Sequence, residues 1–302
     1  MIDHLPLVTI VAACFNHKDY VLQTLDSMRS QTYPNLQFII TDDGSKDGSK
    51  EIIQNWIDET GTDILFLNHP VNQGVCKNMN SSLPHVKGEY VKFISCDDVL
   101  LEGAIRLMVT TFLSLPPDYG IIYSDMFRIN QAGEIDDKGG QVVKRKVFPI
   151  KGSAYMEMIE RPFVTAPSAI VKKIVLDELN GFDESLVYED HDFYLRASKK
   201  FKFHFLPEKT VMYRILSTSL INSSSGITYH KNQFYVYLNN YDKREPFRKI
   251  FKKRLLFCIK NLYKHKYKYS LFLFAKALLL TREKSYIKYV AASVPLIFTG
   301  KK

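Results

Sequence analysis

Apolar positions along the chain alternate between two periods. Val8-Thr-Ile-Val-Ala-Ala-Cys14 is a short β-branched run that predicts a buried strand. Asn16-His-Lys-Asp19 breaks it, and Val21, Leu25 and Met28 then recur at helical spacing between Tyr20 and Gln31. The same succession follows with strand Leu36-Gln-Phe-Ile-Ile40, loop Asp42-Asp-Gly-Ser-Lys-Asp-Gly48 and a helix from Ser49 to Ile57. It recurs with Ile64-Leu-Phe-Leu67 and a helix from Gly74 to Leu83. A fourth strand, Tyr90-Val-Lys-Phe-Ile94, leads into Asp97-Asp98, and a helix from Leu101 to Leu115 precedes strand Gly120-Ile-Ile-Tyr123. Strands alternating with helices predict an α/β domain whose parallel sheet is joined by right-handed crossovers.

Regularity fades from Arg128 to Lys151, a segment expected to form hairpins or a mobile loop. Helix Tyr155 to Glu160, strand Ala169-Ile-Val171, loop Asn180-Gly-Phe-Asp-Glu184 and a helix from Glu189 to Lys199 come next, with strands near Phe203 and Val211. Serine-rich Ser217 to Gly226 reads as a flexible connection, and Thr228 to Ser293 as several helices. The expected division is therefore 1–226, itself in halves 1–98 and 99–226, and a helical region 227–302.

Charge supports that division. The 302 residues carry a net +9, but the stretch from Lys231 onward holds 18 basic and 3 acidic residues, leaving the preceding 230 at −6. A nucleic-acid binder spreads basic surface over its folded module, so the acidic body argues against that class. With 46% hydrophobic and 24% charged residues, disordered, collagenous and disulfide-scaffold chains are excluded. Cys14, Cys76, Cys96 and Cys258 form no CxxC pair, which gives no zinc ribbon and fits a reducing cytoplasm. No basic segment precedes the first apolar run, so no secretory signal is expected. The apolar stretches 270–280 and 289–299 fall short of the ~20 residues of a spanning helix.

Acidic pairs stand at three places where an α/β sheet gathers its ligands, the carboxyl ends of strands and the loops beyond them. Asp42-Asp43 ends the second strand, Asp97-Asp98 the fourth, and Glu189-Asp190 with Asp192 opens a late helix. Two adjacent carboxylates at a strand end repel each other and disfavour the strand. Asp97-Asp98 reads either as hard oxygen ligands for Mg²⁺ or Mn²⁺ or as a cap for the helix near Leu101. Asp42-Asp43-Gly44-Ser45 reads also as an Asx turn, and Glu189-Asp190 as complement to a helix dipole.

Taken in order, Thr9-Ile-Val-Ala-Ala-Cys-Phe-Asn16, Thr41-Asp-Asp-Gly-Ser-Lys-Asp47, Asn72-Gln-Gly74, Gly88-Glu-Tyr90, Ser95-Cys-Asp-Asp98 and Gly181-Phe-Asp-Glu184 with Tyr188-Glu-Asp190 resemble the inverting family 2 glycosyltransferases of GT-A fold. The likeness spans about residues 7 to 215 and implies a Rossmann-like, nucleotide-binding mixed sheet flanked by helices, with the basic helices as an extension. It makes 1–98 the nucleotide-binding half and 99–226 the acceptor half. By the resemblance, Ala13 and Phe15 line the nucleotide base, Asp43 accepts from the base N3–H of a uridine nucleotide, and Lys77 approaches the base or diphosphate. Lys77 is equally readable as a solvated helix lysine. Asp98 takes the place of the family's metal-binding carboxylate, for Mn²⁺ or Mg²⁺, Asp97 faces the sugar or ribose, and Asp190 takes the place of the catalytic base.

The chain departs from the family pattern in places. Ser95 or Cys96 stands where the first acid of the Asp-x-Asp motif belongs, Met79 where many relatives have arginine, and Leu216 where many have histidine. The Gln-x-x-Arg-Trp signature of processive synthases is absent, Trp56 being the single tryptophan, so one sugar per encounter is expected. Glu189 would act on the Asp190 pKa, Arg196 pairs with a helix carboxylate or lies in a surface ion pair, and Asp125 with Thr165-Ala-Pro-Ser168 is expected to line the sugar or acceptor pocket.

The implied activity is inverting transfer of a hexosyl or N-acetylhexosaminyl group from a UDP-sugar to a hydroxyl of a glycan or lipid-linked acceptor, for surface polysaccharide or glycolipid. Two alternatives stay open: a sugar-nucleotide pyrophosphorylase, which wants a glycine-rich loop absent from Cys14-Phe-Asn-His-Lys-Asp19, and a non-catalytic nucleotide- or carbohydrate-binding relative. In the tail, Phe247 to Lys268 interleaves lysines with Phe251, Leu255, Ile259 and Leu262. That is the composition of a helix on an anionic membrane surface, where each basic residue adds ~1 kcal/mol, or of helices packed on the body or in a dimer. A cytoplasmic protein, peripheral on the inner membrane face, is the expectation.

Overall fold

The computed structural model describes residues 5–135, 150–217 and 225–301. The chain divides into two compact units, one of residues 1–154 and 163–216, the other of 155–162 and 217–302.

The first unit is built on a nine-stranded sheet. β1 (Val8–Cys14), β2 (Leu36–Asp42), β3 (Ile64–Asn68) and β4 (Tyr90–Ser95) run parallel in the order β3-β2-β1-β4. Each crossover carries a helix: α1 (Val21–Arg29), α2 (Ser49–Thr60) and α3 (Val75–Ser82). β1 is buried on both faces, as a central parallel strand requires. Val8, Ile10 and Ala12 join Leu25 and Met28 of α1 and Ile53 of α2 in one core, which continues into Met108 and Phe112 of α4 (Ala104–Ser114). At about 25 cal/mol per Å² of apolar area, this burial is the main force fixing the sheet.

The parallel arrangement ends at β4. Beyond it lie β8 (Ala169–Lys172), antiparallel to both β4 and β6 (Tyr119–Ile129), and then β9 (Lys202–Arg214), parallel to β6. β5 (Val99–Leu100) and β7 (Lys151–Gly152) add short antiparallel pairings to β9. The sheet is thus mixed rather than parallel throughout, and the strands expected near Phe203 and Val211 are one long strand. α4 begins three residues later than its periodicity predicts, because Val99-Leu100 pairs with β9 and Gly103, at φ +73°, occupies the N-cap. Asp97-Asp98 therefore does not cap that helix. α6 (Lys173–Leu179) and α7 (Asp190–Ala197) follow β8. Most of the segment from Arg128 to Lys151, and most of Ser217 to Gly226, lie outside the described residues; β6 runs on to Ile129, which bridges Ile135.

The second unit is helical: α5 (Tyr155–Glu160), α8 (Gly226–Asn239), α9 (Phe247–Lys264), α10 (Ser270–Thr281), α11 (Ile287–Ala292) and α12 (Leu296–Thr299). Its core is made by Phe234, Tyr237, Phe251, Leu255, Ile259 and Phe274. The apolar stripe of α9 that the sequence offered to a membrane is therefore turned inward. Among the described residues no helix is long and apolar enough to cross a membrane.

Candidate active site

The carboxyl ends of β1, β2 and β4 are drawn together by the backbone. Asp43 N–H donates to the Cys14 carbonyl and Cys96 N–H to the Ala13 carbonyl, each at 2.9 Å. Ala13, Asp43 and the turn Cys96–Asp98 consequently share one rim. The β1–α1 loop is tied across to the β2–α2 loop: Asn16 N–H donates to Ser45 Oγ at 2.8 Å, Lys46 N–H to Asn16 Oδ1 at 2.9 Å and His17 N–H to Ser49 Oγ at 2.9 Å. Held between these bonds, Phe15 presents a ring that is 41% exposed, unusual for a phenylalanine beside a fully buried strand.

The two acids at the end of β2 have separate tasks. Asp42 accepts from Ser45 N–H at 2.8 Å and from the Ser45 hydroxyl at 2.5 Å, forming the Asx turn. Asp43, buried, accepts from Gln73 N–H at 2.7 Å and Gly74 N–H at 2.9 Å and so fixes the loop before α3. A Cβ at Gly44, where φ is +75°, would fall 2.5 Å from the Val71 carbonyl carbon, so only glycine permits this approach. Lys77 lies exposed on α3.

At the end of β4 the neighbouring acids differ sharply. Asp98 has no solvent exposure; its Oδ1 accepts from Arg214 N–H at 2.9 Å, while its Oδ2 is buried without a hydrogen-bond partner. Burial, followed by the adjacent Asp97 charge, pushes its pKa well above the ordinary carboxylate range. The side chain of Asp97 keeps 13% exposure and lies 4.0 Å from His17 Nε2. Both depend on Arg214, a buried guanidinium at the end of β9. It donates to the Asp97 carbonyl at 2.8 Å, to the Asn130 and Gln131 carbonyls at 3.1 and 3.2 Å and to Gln23 Oε1 at 2.5 Å, and stacks 4.6 Å over the Tyr20 ring. One arginine thus ties the acid turn to the loop at Asn130-Gln131 and to Gln23 of α1.

The third acid pair opens α7. Glu189 is the N-cap and Asp190 the first helical residue, its Oδ1 accepting from His191 N–H at 2.6 Å. Burial, and then the Asp190 charge, pushes Glu189 up to about 7. Glu189 and Asp190 border a cavity of about 10 Å³ with Phe93 of β4, Met79 of α3 and Ala166, room for a water but not a sugar. Asp190 therefore shares a cavity wall with Phe93, two residues before the end of β4. Arg196 is absorbed by structure: it pairs with Asp192 at 2.6 Å and donates to the Leu179 and Gly181 carbonyls at 2.9 Å. Asp125, on β6, has a buried Oδ1 without a hydrogen-bond partner.

Two residues the sequence reading passed over organise this region. Arg214 went unmarked, although a charge closing an apolar strand is a signal. Lys92, in the middle of β4, is wholly buried; it donates to the Pro167 carbonyl and, at 3.0 Å, to the Ala169 carbonyl, and burial pulls it down to about 7. It pins the turn Ala166–Ser168 beside Asp190. A strand with one wet face would leave such a lysine in solvent, but here both faces of the sheet are covered.

Among the described residues no group of three or more His, Cys, Asp or Glu side chains is arranged to hold a metal ion. The open Asp97 carboxylate with the nearby His17 imidazole nevertheless fits an ion that draws its other ligands from a diphosphate, as magnesium sites commonly do.

A mixed sheet that gathers an exposed aromatic ring and carboxylates at one rim, with helices on its faces, fits the GT-A class of glycosyltransferases. The glycosyl transferase family 2 model matches residues 9–179, and the chain belongs to that family. It is 27% identical over 227 residues to an uncharacterized glycosyltransferase of Rickettsia prowazekii, covering 72% of this chain and 67% of that one. Over 105 residues, 35% of this chain and 34% of the other, it is 30% identical to the GalNAc(5)-diNAcBac-PP-undecaprenol beta-1,3-glucosyltransferase of Campylobacter jejuni. Residues 1–349 of Staphylococcus aureus TarS in complex with UDP-GlcNAc superpose with TM-score 0.67 at 16% identity, over 97% of this chain and 92% of that one. The mannosyltransferase PcManGT of Pyrobaculum calidifontis, in complex with GDP-Man and Mn²⁺, gives 0.63 at 16% identity over 98% and 86%. The last two establish the fold, which is GT-A.

Proposed function

We propose that this glycosyltransferase moves a hexosyl or N-acetylhexosaminyl group, with inversion, from a UDP-sugar to a hydroxyl of a glycan or lipid-linked saccharide in surface polysaccharide or glycolipid synthesis. The observation that carries this reading is the shared rim of Phe15, Asp43 and Asp97, with Asp190 reached across a cavity wall that includes Phe93 of β4. The Campylobacter jejuni relative, named for a PP-undecaprenol-linked saccharide, supports the acceptor class.

In this mechanism Phe15 stacks on the base while an Asp43 oxygen accepts its N3–H. Lys77 approaches the diphosphate. Asp97 would hold the divalent cation, Mn²⁺ or Mg²⁺, in place of the role first expected for Asp98; Asp98, closed to solvent and bonded to Arg214 N–H, fixes the turn that presents Asp97. When bound there, the cation would supply neutralisation of the charge on the diphosphate. Asp190 takes the proton of the attacking hydroxyl on the opposite face of the sugar, a contribution of ~10²–10⁴-fold. Glu189, held near neutrality, loses its own proton only toward pH 7 and so limits the negative charge beside the base.

The nucleotide is tested by titrating UDP and GDP into the protein with Mn²⁺ in a calorimeter. UDP is expected to bind at least ~10-fold more tightly, since guanine offers Asp43 a different edge. Equal or tighter GDP binding would remove the uridine assignment.

A further inference from the structure

The helical unit exposes what a water-soluble surface normally hides. On α10, Leu273, Phe274 and Ala277 face the core, yet Phe272 is 65% and Leu279 80% exposed, seven positions apart on the opposite side. On α12, Phe298 is 87% exposed. Apart from Lys276 the outward face of α10 is apolar, and packing against its own unit does not explain that.

The charges around these residues are almost all of one sign. From Phe247 onward the sequence has fifteen lysines and arginines and a single acid, Glu283, already paired with Lys252 at 3.1 Å. Backbone bonds from Lys268 N–H to the Lys301 carbonyl at 2.9 Å, and from Lys301 N–H to the Lys266 carbonyl at 2.7 Å, gather three lysines at the turn leading into α10, three residues from Phe298. Lys268 sits 4.7 Å over the Tyr269 ring and Lys288 5.2 Å over Tyr289, combining aromatic and cationic groups as at a membrane–water boundary.

We infer that α10 and α12 form a docking surface for an anionic lipid bilayer, with Phe272, Leu279 and Phe298 entering the acyl boundary and the lysines engaging phosphate headgroups. This goes beyond the transfer reaction and moves the membrane contact away from α9, whose stripe is buried. At twelve residues, α10 is ~18 Å long and lies in the interface rather than across it. A second copy of the chain is a poor occupant, because a self-complementary face would set like charges against each other.

The test is flotation of the full chain with vesicles of phosphatidylglycerol and phosphatidylcholine, and with phosphatidylcholine alone, for the wild type and the triple variant Phe272→Ser, Leu279→Ser, Phe298→Ser. The wild type is expected to float with anionic vesicles only. The variant is expected to bind at least ~10-fold more weakly, with unchanged thermal unfolding, because all three side chains are already in water. No flotation of the wild type, or a variant that floats equally well, overturns the proposal. So does a wild-type dimer that the variant converts to monomer without any vesicle binding.

Discussion

The acid pairs Asp97-Asp98 and Glu189-Asp190 are alike as sequence and differ as physical objects. At the end of β4 the labour is divided by burial: Asp98 is sealed and bonded to Arg214 N–H, while Asp97 keeps a path to solvent. At the start of α7 both side chains are part-buried, and the cost of two neighbouring charges is met by raising Glu189 to about 7. Identity alone does not decide which of two adjacent carboxylates is open to a ligand; in the proposed mechanism the neighbour that is desolvated, or left protonated, becomes scaffolding.

The largest effect is expected at the second pair. Asp190→Asn keeps the shape and removes the base, so turnover should fall ~10²–10⁴-fold while UDP affinity changes less than ~3-fold. UDP release assays and calorimetry on the same preparation check both, and a variant retaining full turnover would move the base elsewhere. At the first pair, Arg214→Met removes the donors to the Asp97, Asn130 and Gln131 carbonyls and to Gln23. A loss of about 3 kcal/mol in urea unfolding is expected, with only partial recovery in Arg214→Lys, which cannot reproduce the fork.

Glu189 gives a pH signature. Its folded pKa lies above its ordinary value of 4.5, so the folded state holds the extra proton between about 4.5 and 7. Stability linked to this group is complete below pH 4.5 and is lost as pH rises toward 7. Glu189→Gln should abolish that decline, raising stability at pH 8 relative to pH 5 by on the order of 2 kcal/mol compared with wild type. Parallel melting curves of the two proteins across this range would expose the absence of such a difference. The smallest effect is expected for Asp98→Asn, which imitates the neutral acid favoured by burial and retains an acceptor for Arg214 N–H, at a cost below ~1 kcal/mol in the same unfolding experiment. A collapse of metal-dependent UDP binding in that variant would return the ligand role to Asp98.

Much of this arrangement was legible. Val8–Cys14 and its repeats announce parallel strands because a two-sided core demands continuous apolar runs, and the breaks after them announce the rim that carries Phe15, Asp43 and Asp97. What the chain concealed depended on distant pairing. Val99-Leu100 becomes a strand only because β9 reaches it from 111 residues away in register with Val211 and Met212. Lys92 finds its carbonyl partners only where β8 and the Ala166–Ser168 turn close over it. The inward turn of Phe251 and the outward turn of Phe272 are invisible in composition, since both belong to the same basic, apolar stretch.

The most direct measurement is titration of UDP with and without Mn²⁺ into the wild type and Asp97→Ala. Binding that requires Mn²⁺ and is lost in the variant is predicted. Failure to bind UDP under either condition, or binding indifferent to both the cation and Asp97, would contradict a donor site at the ends of β1, β2 and β4.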